Sequence, residues 1–220
     1  MAPCYLIYHP KRPLFETEGL KVYHDKFGGN EDPYLWNHNF LHTYCHITQL
    51  SNIPGQINFW VSADKYSQFN HLYCDCVFVI ESKHFWTERN YISQHDPIVD
   101  NAQTYEHHYK WANYGQHPFT KRRRYTLKAN AELSFQPQDN NASLIDILPF
   151  LNKNGITKEY LLKSMTSKKG SRPLKLSDDL GNKLYQFLLS NAPIKIYGKD
   201  LIGKHPHPHQ INSSTDRNCN

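Results

Sequence analysis

The sequence predicts an α+β fold, and three observations carry that prediction. Up to about residue 136 the apolar residues fall in short runs rich in Val, Ile, Tyr, Phe and Trp, several of them alternating with polar residues at the period of a strand. From Ser143 onward the spacing becomes helical, with Ser or Thr ahead of the apolar stretches and Gly or Pro behind them. Hydrophobic residues make up 39% of the 220 and charged residues 20%, a balance that supports a packed core rather than a solvated coil. The expected division is a β-rich core over 1–136 with one helix near 100–114, a helical segment over 137–203, and a disordered polar tail over 204–220.

Taken in order, Cys4-Tyr-Leu-Ile-Tyr8 is an apolar run stopped by His9-Pro10 and reads as a first strand. Gly19 to His24 alternates and reads as a second. Asp25 to Pro33, with Gly28-Gly29-Asn30, is a loop. Leu41 to Thr48 fits a strand or a helical turn. After the Pro54-Gly55 turn, Gln56-Ile-Asn-Phe-Trp-Val-Ser62 alternates again. Leu72 to Phe85 is the longest strand candidate. Alternation puts Cys74, Cys76, Phe78 and Ile80 on one face and Asp75, Val77, Val79, Glu81 and Lys83 on the other. Both faces are apolar in the middle, as in a central strand covered on both sides, and segments 56–62 and 72–83 are expected to be adjacent and antiparallel.

Asp100 to Tyr114 reads as an amphipathic helix through Ala102, Tyr105, Tyr109 and Ala112. Arg123 to Ala129 reads as a strand and Leu133 to Phe135 as a shorter one. Ser143 is expected to cap a short helix that Pro149 interrupts and Gly155 stops. Thr157 caps the next. Ser177 caps a third, with Leu180, Leu184, Phe187 and Leu188 on one side and Pro193 at its end.

No run of about 18 apolar residues occurs, so no membrane span is expected. The start, MAPCYLIYHPKRP, lacks a basic leader and does not read as a signal peptide. Five cysteines, at 4, 45, 74, 76 and 219, are an odd and scattered set that predicts no disulfide framework and a reducing, cytoplasmic setting. The net charge of +5 is uneven: residues 1–120 hold 8 Lys/Arg against 12 Asp/Glu, and residues 121–220 hold 17 against 8. Such a split points to a polyanionic partner.

Its densest part is Lys121-Arg-Arg-Arg-Tyr-Thr-Leu-Lys128. Arginine forks match phosphate oxygens, so Lys121, Arg122, Arg123, Arg124 and Lys128 are candidate nucleic-acid contacts. Tyr109-Lys110-Trp111, just upstream, interleaves aromatics with a cation, as base stacking requires. His42, Cys45, His46, His71, Cys74 and Cys76 are residue types that ligate zinc, but no Cys-x2-Cys pair organises them, and Cys74 and Cys76 lie in an apolar strand. His205, His207 and His209 of the tail carry no assigned role.

Two family resemblances bear on the long strand. Asp64, Glu81 and Lys83 resemble the constellation of the PD-(D/E)xK nucleases, with Ala63 in place of the proline of that pattern. The resemblance implies that two carboxylates hold Mg²⁺ while the lysine helps activate water. His46-Ile-Thr48 is similar to one half of a two-histidine phosphoesterase motif, with no properly spaced second half.

The stretch Gly55-Gln-Ile-Asn-Phe-Trp-Val-Ser62, followed by Val77-Phe-Val-Ile-Glu81 and Asp96-Pro97, resembles the PUA-like superfamily, in particular EVE and nucleotide-modification-associated domains, over roughly residues 40–115. Gln56 stands where those families carry aspartate. This resemblance implies a mixed β-barrel or strongly curved sheet with a pocket for a nucleobase, often a modified one, near which Trp60 and Trp111 would lie. The expected function is binding of nucleic acid or a nucleotide without a cofactor. The Mg²⁺-dependent nuclease and a protein–protein adaptor are the alternatives.

Overall fold

In the computed structural model, which describes residues 2–9, 11–24, 33–42, 50–65, 69–85, 125–167 and 170–204, the sheet is assembled around one long strand. In chain order the strands are β1 (Cys4–Tyr8), β2 (Leu14–Thr17), β3 (Leu20–Tyr23), β4 (Leu41–His42), β5 (Ile57–Ser62), β6 (Tyr73–Phe85), β7 (Tyr125–Ala129), β8 (Gln136–Gln138), β9 (Ile145–Asp146), β10 (Thr166–Ser167), β11 (Gly170–Ser171), β12 (Leu174–Leu176) and β13 (Ile194–Ile196). The helices are α1 (Leu148–Lys153), α2 (Lys158–Met165), α3 (Asp178–Asn191) and α4 (Gly198–Leu201). The principal sheet runs β12-β1-β5-β6-β7-β4, with β9 also paired to β6. β1 and β5 are parallel and their neighbours antiparallel. The fold is therefore α+β with a mixed sheet. The sheet is open: among the described residues its strands do not close into a barrel. The helix expected at 100–114 and the tail from 205 lie outside the described residues.

β5 and β6 are adjacent and antiparallel, as their alternation predicts, from Ile57↔Val79 to Ser62↔Tyr73. The register breaks once. Trp60 pairs with Cys76 and Val61 with Cys74, so Asp75 has no partner on β5. This is a β-bulge, and an extra residue reverses the faces on either side of it. Cys76, Phe78 and Ile80 pack with Ile7, Trp36, Phe40 and Trp60, whereas Cys74 packs with Leu6, Phe59, Val61, Val77 and Val79. The expectation that Cys74 and Cys76 share a face is thereby corrected. A second shift, between Ile80 and Ser82, leaves Glu81 as the extra residue against β7.

Each face of the sheet has its own core. One, containing Trp60 and Phe78, is completed by Val22 of β3, the segment Tyr34–Phe40, and Ile196 and Leu201 near the end of the described chain. The other is covered by helices, through Leu148 and Leu151 of α1, Leu161 and Met165 of α2, and Leu180, Leu184 and Leu188 of α3. The part of the chain expected to be helical, 137–203, also supplies strands. β9 joins β6, and β12 joins β1 with Cys4 opposite Leu176.

The helix signals read from the sequence are local and two of them act as expected. The Ser177 side chain accepts the Leu180 N–H at 3.2 Å and Asp178 and Asp179 occupy the first turn of α3, favouring the positive end of the helix dipole. The Thr157 hydroxyl accepts the Tyr160 N–H at 3.2 Å ahead of α2. The expectation for α1 is corrected: Pro149 stands in its first turn rather than inside it, where its missing N–H costs nothing. The cap position is taken by Ile147, which makes no side-chain cap bond, and not by Ser143; Asp146, one residue earlier, accepts the Leu148 N–H on its Oδ1 at 3.0 Å.

α3 reaches β1 through Gly181. A Cβ built there runs into the Cβ and Sγ of Cys4. Alanine in a helix interior is ordinarily worth about 1 kcal/mol over glycine, but overpacking a rigid contact costs about 1–3 kcal/mol. We predict that Gly181→Ala destabilises the protein. A midpoint of chemical denaturation at or above that of the parent would count against this helix–sheet contact.

Candidate functional site

The parallel pairing of β1 with β5 delivers two carboxyl strand ends to the same end of the sheet. Next to them β6 begins, and β9 ends beside it, with Tyr73 opposite Asp146. Four adjacent chain segments therefore bring Lys11, Asp64, His71 with Tyr73, and Asp146 to one sheet end.

Their contacts form two pairs. Lys11 Nζ lies 2.6 Å from Asp64 Oδ1, both about half exposed. That hydrogen bond raises the Lys11 ammonium and lowers the Asp64 carboxyl from their ordinary values. His71 Nδ1 lies 2.8 Å from Asp146 Oδ2. The other oxygen of Asp146 accepts the N–H groups of Leu72 and Leu148, each at 3.0 Å, so this carboxylate is held by two backbone donors before it meets the imidazole. The His71 ring stacks on Tyr73, with centroids 5.8 Å apart and planes 20° apart. Burial raises the Tyr73 phenol, and the charges of Asp64 and Asp146 add to that.

Beneath this surface lies a buried ionic cluster. Arg12 and Asp75 are fully buried, with Nε 3.7 Å from Oδ2. Arg12 Nε also faces His9 Nδ1 at 3.5 Å and its Nη1 donates to the Pro33 carbonyl at 3.4 Å. His9 meets the edge of Trp60, with ring centroids 5.8 Å apart. On the flank away from β5, Gln136 Nε2 donates to the Asp75 carbonyl at 2.9 Å. A charge this deep requires a counter-charge, and the bulge is what turns Asp75 toward Arg12.

The residues singled out in the sequence are distributed differently from that pattern. Asp64 follows the end of β5, beside the start of β6, whereas Glu81 lies far along β6. From Tyr73, near Asp64, to Glu81 the strand rises roughly 25 Å, so the two carboxylates do not fit a shared Mg²⁺. Glu81 Oε2 instead lies 3.3 Å from Lys128 Nζ and accepts from Asn39 Nδ2 at 3.4 Å. Lys83 Nζ donates to the Ser51 carbonyl at 3.3 Å, and burial lowers its ammonium.

Trp60 is fully buried in the core, away from any base. Tyr109, Trp111, Cys45, His46 and the run Lys121, Arg122, Arg123 and Arg124 lie outside the described residues. Among the described residues no three His, Cys, Asp or Glu side chains gather as a metal site. Burial pushes the Cys4 thiol up to about 11 and raises Cys74 and Cys76 as well. Asp146, Arg12 and His9 were not singled out from the sequence. The only local signal for Asp146 is its position just ahead of Leu148-Pro149.

Comparison with protein-family models, with curated proteins and with solved structures returned no match.

Two outcomes follow for this region. Arg12→Met leaves the Asp75 carboxylate buried without its cation and is expected to cost about 3–5 kcal/mol, while Arg12→Met with Asp75→Asn costs less than the single change. A double-mutant cycle by urea denaturation measures it, and strict additivity would refute the coupling. Cys4, Cys74 and Cys76 are predicted to resist iodoacetamide at neutral pH in the native protein and to react in denaturant, since the thiolate is the reactive form. Peptide mapping by mass spectrometry decides.

Proposed function

We propose that this chain binds nucleic acid through a basic surface at the Phe85 end of β6. One observation carries the reading. The β6–β7 ladder pairs Phe85 with Tyr125 and Ser82 with Lys128, so Lys83 and Lys128 lie at one end of the sheet, and in the sequence the run Lys121–Arg124 directly precedes Tyr125, the first residue of β7. Lys83 and Lys128 stand on the ladder itself, and cations held in one place suit phosphate-backbone recognition. The excess of Lys/Arg over Asp/Glu in residues 121–220 supports the same partner. Tyr109 and Trp111 are the stacking aromatics of this reading, because Trp60 is in the core.

The test is a titration against labelled single- and double-stranded oligonucleotides at several salt concentrations. Affinity is expected to fall steeply as salt rises, because binding releases counterions from the phosphates. Arg122→Glu with Arg124→Glu is expected to weaken binding about tenfold or more on every sequence tried, with a shallower salt slope. Binding by this variant equal to that of the parent would make the run an ordinary solvated surface.

A further inference from the structure

From the opposite end of β6 we infer that His71, oriented by Asp146, is a proton-accepting catalytic group that cleaves RNA by attack of its own 2′-hydroxyl. Only the choice of RNA as substrate rests on the nucleic-acid reading above; the geometry of the group does not.

The imidazole is fixed on two sides. A carboxylate accepts hydrogen bonds and does not donate them, so the 2.8 Å contact with Asp146 Oδ2 puts the proton on Nδ1 and leaves Nε2 as the basic nitrogen of the neutral ring. Asp146 cannot swing away, because its Oδ1 is held by the Leu72 and Leu148 N–H groups. Tyr73 supports one face of the ring. The His71 side chain is 55% exposed and that of Asp146 25%, so the accepting ring reaches solvent while its partner is partly shielded. Lys11, at the end of the strand next but one, is a cation already held in place by Asp64, and Lys158 lies close by, donating to Asn70 at 3.1 Å. An imidazole base with a lysine hydrogen-bonded to the residue next to it in the chain suits a phosphodiester that carries its own nucleophile.

The step needs no co-reactant. His71 Nε2 takes the proton of the 2′-hydroxyl and the 2′-oxygen bonds to the adjacent phosphorus. The bond from phosphorus to the 5′-oxygen of the next nucleotide breaks. That oxygen takes a proton from water, and the imidazolium, stabilised meanwhile by Asp146, returns its proton to the resulting hydroxide. The products are a 2′,3′-cyclic phosphate and a 5′-hydroxyl. Asp146 is a positioning residue, and Lys158, which donates to the neutral Asn70 amide, is the cation offered to the phosphate oxygens.

The experiment incubates the full chain, in EDTA, with one single-stranded RNA, with its 2′-O-methyl analogue and with DNA of the same sequence, and measures binding alongside. The expected result is cleavage of the RNA alone, leaving cyclic phosphate ends. His71→Ala and His71→Gln, purified identically, should lose about 100-fold or more in rate with RNA binding and thermal unfolding unchanged. Added imidazole should restore part of the rate of His71→Ala. Asp146→Asn, which keeps an acceptor for both N–H groups, should lower kcat and leave KM nearly unchanged. Arg122→Glu with Arg124→Glu should do the opposite. RNA that is bound but uncut, cleavage that persists in both His71 variants, or equal cleavage of DNA overturns the inference and leaves the nucleic-acid reading standing. Absence of binding to any of the three polymers overturns both.

Discussion

A carboxylate has been placed near the start of the longest strand and sealed from water, and the rest of the molecule is arranged to accommodate it. Asp75 sits at 0% exposure where an alternating strand would have pointed it among the aliphatic residues of the helical core. The bulge turns it toward Arg12, and Arg12 in turn fastens the chain between β1 and β2 and, through the Pro33 carbonyl, the segment leading to Phe40. A buried ion pair adds little net stability over a well-packed apolar substitute, but breaking one partner is costly. Its effect here is on specificity: a slip of one residue between β5 and β6 would bury the charge against Leu6 and Val61.

The two ends of β6 acquire different chemistry from this arrangement. At its start, the carboxyl ends of the parallel strands β1 and β5 and the short β9 bring acids, an imidazole and a lysine together in pairs. At its finish, β7 brings Lys128 against Glu81 and leads back to the arginine-rich run. Both acidic residues within the strand, Asp75 and Glu81, are the extra residues of bulges. At such positions side chains escape strict alternation, which lets one strand serve a core, an ion pair and an edge.

Much of this frame is legible in the residues. The alternation of 56–62 and 72–83 gives the central hairpin, and Ser177 and Thr157 mark the starts of α3 and α2, because these signals act within a few residues of the chain. The bulge at Asp75 is not legible. Its cause is a cation 63 residues earlier, and nothing in Cys74-Asp75-Cys76 reports it. Pro149 suggests a break because proline ends a helix interior, whereas at a helix start it fits. The pairing of His71 with Asp146 joins positions 75 residues apart and has no motif. Asp64 and Glu81 do carry a motif-like spacing, but similar spacing in sequence does not bring together a residue just past the end of β5 and one far along the antiparallel β6.

The pairing of β12 with β1 sets when the sheet can be completed. Cys4 and Leu176 are about 170 residues apart in the chain, and β1 also needs β5, more than 50 residues on. The β5–β6 hairpin can form early from local contacts, but β1 gains its second neighbour only after α1 and α2 have left the ribosome. Until then one side of an apolar strand is unpaired, and loop-closure entropy opposes its completion. A chain built this way folds slowly for its size and exposes a sticky edge while it does so, so its yield in a cell depends on what shields β1 during synthesis as much as on the stability of the finished sheet.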